Sequence, residues 1–369
     1  MRGGHSRAPV VPPRAVVRAL FWLRRLLTRA ANALVPAQVV LLERISGAAV
    51  SQLLAAVSRL GIPDLLAEGP RTSDELASVT KTHPESLARV LRALAAGGLF
   101  ELDPVTGFYS NTRLAQGLRR EALGSMNSFA QYFATDANLG AWAQLDKVLR
   151  TGESGFEGRH GVSPWEWLAA HPEEEKLFAE AMTALTEIDA PAIARAYPFE
   201  RLTSICDVGA GRGALLAELL RAHGGLKAGL LEAPGVIALA REQLEAQGLA
   251  ARVELHAGDL FESVPPGYGA YLLKDVLHDW DDARAQAILR AVRRAALPGA
   301  RLLICEVLVE PLEASEPGAF IDLQMMVALS QGRQRSRAEF ARLLSATGFR
   351  FERVWPTAFP IGIVEGVAI

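Results

Sequence analysis

Four short apolar runs in the second half of the chain, Ala228–Leu231, Val253–His256, Ala270–Leu273 and Arg301–Cys305, alternate with helical patterns at Gly235–Gln247 and Asp282–Ala296. Runs without a polar face suit strands buried on both sides, and their alternation with helices predicts a parallel α/β sheet. The stretch Ser204-Ile-Cys-Asp207-Val-Gly209-Ala-Gly211-Arg-Gly213-Ala214 opens this region as a strand that breaks into alternating glycines. Leu215, Leu216, Leu219 and Leu220 follow at helical spacing. Strand, glycine turn and helix is how such a sheet holds a nucleotide at the carboxyl ends of its strands.

Upstream the pattern is helical. Val39, Leu42, Ile45, Val50, Leu53, Leu54 and Val57 predict a helix ending near Gly61. Thr72–Glu75 and Thr82–Glu85 each read as a capping box. The second opens a helix with Leu87, Val90, Leu91 and Leu94 on one face, stopped by Gly97-Gly98. Leu99–Leu102 and Phe108-Tyr109 flank the turn Asp103–Gly107 and predict a hairpin, so residues 37–122 read as a winged-helix-like domain. Residues 123–200 are a helical, aromatic-rich connector, and Phe129, Tyr132 and Phe133 share one helical face. Phe129 and Phe133 are candidates to wall a flat substrate, or are core. Met325 and Met326, in the apolar helix Phe320–Leu329, stand open to the same two readings.

Charge changes the picture mainly at the start. Residues 1–36 carry seven arginines and no acid precedes Glu43, so Ala15–Val35 reads as a basic amphipathic helix. It suits a membrane surface, a targeting role or packing on a partner subunit. The whole chain, 369 residues with net charge −2, is long enough for two domains and has no general affinity for nucleic acid. The candidate recognition helix offers only Arg89 and Arg92, and the hairpin carries Glu101 and Asp103, so DNA binding is disfavoured. Cys206 and Cys305 lie in apolar runs and read as buried reduced thiols, which fits a cytoplasmic protein. No long charge-free apolar run predicts a membrane span.

The glycine turn admits two ligands. It fits the dinucleotide pattern G-x-G-x-x-A, and it fits the pattern of enzymes using S-adenosylmethionine, an acid followed by G-x-G-x-G. Asp207 would repel a pyrophosphate and suits the ammonium of a methionine moiety. Glu232, ending the second strand of residues 201–369, can bind ribose hydroxyls in either ligand. Asp259 and Leu260, after the third strand, can meet the amino group and face of an adenine, or form a solvated turn. His278 lies just past the fourth strand and is a candidate base near neutral pH. Glu306 ends the fifth strand, where a carboxylate could orient the imidazole and stabilise its cation.

Taken together, Asp207–Gly213, Gly258-Asp-Leu-Phe261, Lys274-x-x-x-His278-Asp-Trp280 and Arg301–Glu306 resemble the plant-type, metal-independent O-methyltransferases of the bacterial natural-product branch. Arg150–Glu153, Pro164–Trp167 and Gly332–Ser336 share that resemblance, which runs from about residue 37 to the end. It implies a Rossmann-like S-adenosylmethionine domain over 201–369 and an N-terminal winged-helix domain that forms an intertwined homodimer. It implies donor contacts from Asp207, Gly209, Gly211, Glu232, Asp259, Leu260 and Lys274, His278 as base, Glu306 as its partner, and an aromatic hydroxyl as acceptor. S-adenosylhomocysteine is then the product, and no metal is needed because the sulfonium already activates the methyl group. Where many members carry a second glutamate beside the histidine this chain has Gln334, which leaves Glu306 as the main orienting group. Three alternatives are a methyltransferase fold with altered chemistry, such as hydroxylation of an aromatic polyketide, a DNA-binding small-molecule sensor, and a nicotinamide enzyme. The intact His278-Asp-Trp280 argues against the first.

Overall fold

The computed structural model describes residues 12–310 and 316–369. Arg2 and Arg7 of the basic extension lie outside them. The described chain forms two compact units, one of residues 12–24, 140–166, 186–310 and 316–369, the other of residues 25–139 and 167–185. The stretch 123–200 contributes to both.

In the smaller unit the chain folds as its polar punctuation directs. Helix α1 runs Arg14–Ala33, beginning in the other unit, followed by α2, Ala37–Ile45, and α3, Gly47–Arg59. The expected single helix over Val39–Val57 is therefore two, bent by 43° at their junction. Ser46 hydroxyl turns back onto the Leu42 carbonyl there, the competition with helical bonding to which serine is prone. Thr72 and Glu75 form the expected capping box at the start of Ser73–Thr80. The second box is not formed. The next helix, Pro84–Ala96, is capped by His83, whose ring accepts from Ser86 N. Pro84 lacks an N–H and fits the first helical position, which shifts the cap one residue past Thr82. A short antiparallel hairpin follows, β1 (Phe100–Leu102) with β2 (Tyr109–Asn111), its turn closed by Asp103 accepting from Val105 N. Leu76, Leu87, Leu91, Leu94, Phe100 and Tyr109 bury the inner faces of these elements together. Phe129 and Phe133 stack at 4.2 Å in the helix Asn127–Phe133, and Tyr132 packs against Phe178.

The larger unit is built on a seven-stranded sheet. Its strands are β3 (Ser204–Val208), β4 (Lys227–Glu232), β5 (Val253–Ala257), β6 (Ala270–Lys274), β7 (Arg301–Val307), β8 (Phe349–Pro356) and β9 (Ile361–Ala368). They lie in the order β5-β4-β3-β6-β7-β9-β8. The expected strands are present and mutually parallel, but the sheet is mixed, because β9 runs antiparallel to β7 and to β8. Cys206 and Cys305 are buried free thiols, as expected. Among the described residues no single helix is long and apolar enough to cross a membrane.

Candidate active site

From β3 the chain winds outward to β4 and β5, then returns to place β6 on the other side of β3. The loops after β3 and β6 diverge at this reversal and open a crevice at the carboxyl edge of the sheet. The glycine turn and His278 meet there by topology, although far apart in sequence.

Gly209 and Gly213 have φ of +72° and +78°, and an added Cβ would lie 2.9 Å from Val276 Cγ2 and 3.0 Å from Leu230 Cδ1. Both glycines are required by backbone and by packing. Gly211, at φ +55°, faces open space, and its N–H donates to Glu232 Oε2 at 2.8 Å. Ala233 N donates to Oε1 of the same carboxylate at 2.8 Å. Beneath the turn Asp207 is fully buried and neither carboxylate oxygen has a hydrogen-bond partner. Burial, with a smaller push from Glu232, raises its pKa to about 7. A buried carboxylate without donors is costly unless a ligand supplies them. The vacant acceptors of Asp207, the open side of Gly211 and the carboxylate of Glu232 fit the ammonium and ribose of an adenosylated methionine. Asp259 is exposed and its Oδ1 accepts from Phe261 N at 2.8 Å, with Leu260 half-buried beside it. Lys274 is differently engaged. Its ammonium is buried against Asp275 and lies 3.9 Å from Asp189, whose pKa burial raises to about 6.

His278 sits in a 3₁₀ turn, Leu277–Asp279, and is 8% exposed. Burial lowers its pKa, so the ring is neutral at pH 7. Nδ1 lies 2.8 Å from the Gln334 side-chain nitrogen, and Nε2 lies 3.4 Å from Asp279 Oδ1. Burial, with Glu306 and Asp275 adding to it, raises the Asp279 pKa well above the usual carboxylate range.

The expected pairing of Glu306 with the imidazole is not what forms. Glu306 Oε1 accepts from the main-chain N–H of Leu277 at 2.8 Å and of His278 at 3.2 Å. Burial, then Asp275, raises its pKa to about 8. A strand-end carboxylate reaches the neighbouring turn more easily through its backbone donors than through a ring that projects from it. Gln334 takes the imidazole instead. The carbonyls of the turn are held by Arg335, completely buried, which donates to Leu277 O at 2.6 Å and Trp280 O at 2.7 Å. Arg335 Nε also donates to Asp282 at 3.0 Å. Trp280 packs edge-on against Phe261 at 4.9 Å and lies under the Arg284 guanidinium. The loop bearing Gln334 is tied to the helix Glu316–Ala328, where Met325 and Met326 are half-buried, through Gln334 N donating to Asp322 at 2.8 Å.

Arg335, Asp279, Asp189 and Asp322 were missed by the sequence reading. Arg335 and Asp279 lay inside the motifs Gly332–Ser336 and Lys274–Trp280 without an assigned role, and Asp189 and Asp322 carried no signal. Arg335→Met should lower unfolding free energy by about 3 kcal/mol, since it leaves the Leu277 and Trp280 carbonyls without their buried donor, while Asp282 keeps Arg333. Urea denaturation at pH 7 measures this, and an unchanged midpoint would show that the turn does not depend on the guanidinium.

Residues 142–350 match the O-methyltransferase domain model, and residues 42–120 match the O-methyltransferase dimerisation domain. The chain belongs to the O-methyltransferase family. It is 38% identical over 322 residues to the mitomycin biosynthesis 6-O-methyltransferase of Streptomyces lavendulae, covering 87% of this chain and 92% of that protein. The solved structure of LaPhzM matches with a TM-score of 0.87 and 38% identity, covering 91% of this chain and all of that one. NcsB1, an O-methyltransferase of neocarzinostatin biosynthesis solved with S-adenosylmethionine and 2-hydroxy-5-methyl naphthoic acid, matches with a TM-score of 0.73 and 32% identity over 87% of this chain and 96% of that one. With the family come the enzyme class and the S-adenosylmethionine cofactor expected from Asp207 and its glycines. Among the described residues no cluster of side chains is arranged to hold a metal ion.

Proposed function

We propose that this enzyme methylates a phenolic or enolic hydroxyl of a flat aromatic small molecule, a secondary metabolite, with His278 as general base. The observation that carries this is a buried, neutral histidine at the sheet edge, on a turn clamped from both sides. The relatives named for mitomycin, phenazine-type and naphthoate chemistry support an aromatic acceptor.

When bound, S-adenosylmethionine supplies a methyl group activated by a sulfonium. Asp207 holds its ammonium. Glu232 would hold the ribose hydroxyls, and Gly209 and Gly211 would let the backbone approach. Asp259 and Leu260 receive the adenine. Lys274, paired with Asp275 and Asp189, fixes the loop beside the donor. His278 Nε2 removes the acceptor proton, which requires the tautomer with hydrogen on Nδ1. Gln334 Oε1 is buried without a partner, and half a turn of the amide gives it that Nδ1–H to accept. Asp279, beside Nε2, is placed to share the proton. Met325 and Met326 are proposed walls of the acceptor site, and residues 37–122 the homodimer contact.

Titration with S-adenosylhomocysteine, then a panel of phenols assayed with a labelled methyl donor, tests the reading. One micromolar site per chain and label transfer to oxygen are expected. A folded protein that binds no S-adenosylhomocysteine sinks it.

Gln334→Glu places a negative charge against Nδ1–H and should raise the pKa of the base by roughly one unit or more. The acid limb of the kcat–pH profile then moves to higher pH by that amount. A limb that stays where it was would remove Gln334 from the base.

A further inference from the structure

Helix α1 is left over from everything above. Its apolar side chains Val16, Leu20, Leu23, Leu26 and Leu27 fall on one side at 100° per residue, with Trp22 at the border. Arg14, Arg18, Arg25 and Arg29 fall on the opposite side, with Phe21 among them, and Arg24 lies at the flank between the two faces. Both sides are exposed: Leu20 is 57%, Leu27 60% and Trp22 64% accessible. Only Val17 of the helix is buried.

We propose that α1 lies on an anionic lipid surface, its leucines in the headgroup boundary and its arginines on the lipid phosphates. The charge argues for this occupant over a second copy of the chain. No acidic residue precedes Glu43, so α1 packed on its own copy brings two arginine arrays together with no acid of the helix to meet them. A phosphate-bearing surface supplies that charge, and a bulky apolar face opposite a basic one is the form of helix that lies in a membrane interface. The match to the dimerisation domain begins only at residue 42. LaPhzM is matched over its whole length by 91% of this chain. Trp22 at the border suits the interfacial belt, where an indole keeps one edge wet.

The test uses the full chain saturated with S-adenosylhomocysteine, floated with phosphatidylcholine vesicles with and without one-third phosphatidylglycerol. Binding is expected to the anionic vesicles, to fall steeply in high salt and to be weak on phosphatidylcholine alone. Arg18→Glu with Arg25→Glu should weaken it roughly thirtyfold or more, from the contribution of two arginines near an anionic surface. Leu23→Glu with Leu27→Glu should do at least as much. S-adenosylhomocysteine affinity reports that each variant is folded, and size-exclusion elution reports its oligomeric state. Failure of the full chain to bind anionic vesicles overturns the proposal. So does a leucine-pair variant that dissociates into smaller species while vesicle binding persists, since α1 then covers a second copy.

Discussion

Replacing His278 with alanine should lower kcat on an unactivated phenol by about a thousandfold, the middle of the range for a positioned general base. Affinity for S-adenosylhomocysteine stays within a few-fold. The physical reason for the split lies in what holds the turn. Glu306 grips its N–H groups and Arg335 its carbonyls, and neither contact uses the imidazole. Removing the ring leaves the scaffold in place, and the donor-side acids Asp207 and Glu232 stand on other strands. A phenol with pKa near ~10 is about one part in a thousand ionised at pH 7, so the base supplies roughly what the solvent cannot. An acceptor bearing two nitro groups, already ionised at pH 7, should lose far less rate in the alanine variant. In the wild type the acid limb of the profile falls below the ordinary histidine value, because burial lowers the His278 pKa and the neutral ring persists to lower pH. Steady-state rates on both acceptors, with calorimetry for donor affinity, decide it. Equal losses of rate and donor binding would make His278 a structural residue.

The glycine turn of the proposed donor site was legible because its requirements are local. A strand, an acid, positive-φ glycines and a helix occupy one continuous stretch, and each residue type there answers a backbone or charge demand that does not depend on the rest of the fold. The histidine proposed as base was visible as a residue, since β6 and the turn after it are also continuous. Its support was not. Gln334 and Arg335 approach from a segment over fifty residues away, and a buried arginine in sequence looks like a solvated one until three carbonyl and carboxylate acceptors are seen converging on it. Glu306 was found for the right place and the wrong bond, because strand order brings β7 beside β6 but says nothing of whether its carboxylate meets a ring or a backbone N–H. The antiparallel edge escaped for a related reason. β9 reads Ile361-Gly-Ile-Val-Glu-Gly-Val-Ala368, and glycine weakens a strand signal. Those glycines are packing requirements: a Cβ at Gly362 would lie 2.9 Å from Leu308 Cδ1, and one at Gly366 3.3 Å from Leu344. The misplaced cap at Thr82 and the break at Ser46 turn on single residues, Pro84 and Ser46, whose local hydrogen-bonding habits outweigh a pattern read over a dozen positions.

Asp207→Asn should lower affinity for S-adenosylhomocysteine by about a hundredfold or more, the scale of losing one member of a buried charge pair, and at the same time make the ligand-free protein more stable at pH 8. The two effects share one cause. The Asp207 carboxylate is buried with neither oxygen bonded, and burial raises its pKa from the usual carboxylate range to about 7. A folded-state pKa raised above the unfolded value means that the folded protein holds the proton more tightly, so stability is lost as pH rises from about 4 towards 7 and is not regained above it. Three units correspond to at most about 4 kcal/mol. Asparagine removes the charge, so the Tm advantage of the variant should grow between pH 4 and 7 and then level off. Donor affinity runs the other way in the wild type. The ammonium needs the ionised carboxylate, so S-adenosylhomocysteine binding should weaken as pH falls below about 7, approaching tenfold per unit, and the asparagine variant should lose this dependence. Calorimetry and thermal unfolding across pH 5 to 8 read both. Weaker binding with no gain in stability at pH 8 would mean that Asp207 is satisfied in the free enzyme, and the acid would then be a structural residue of β3 rather than a site kept under electrostatic stress for the donor.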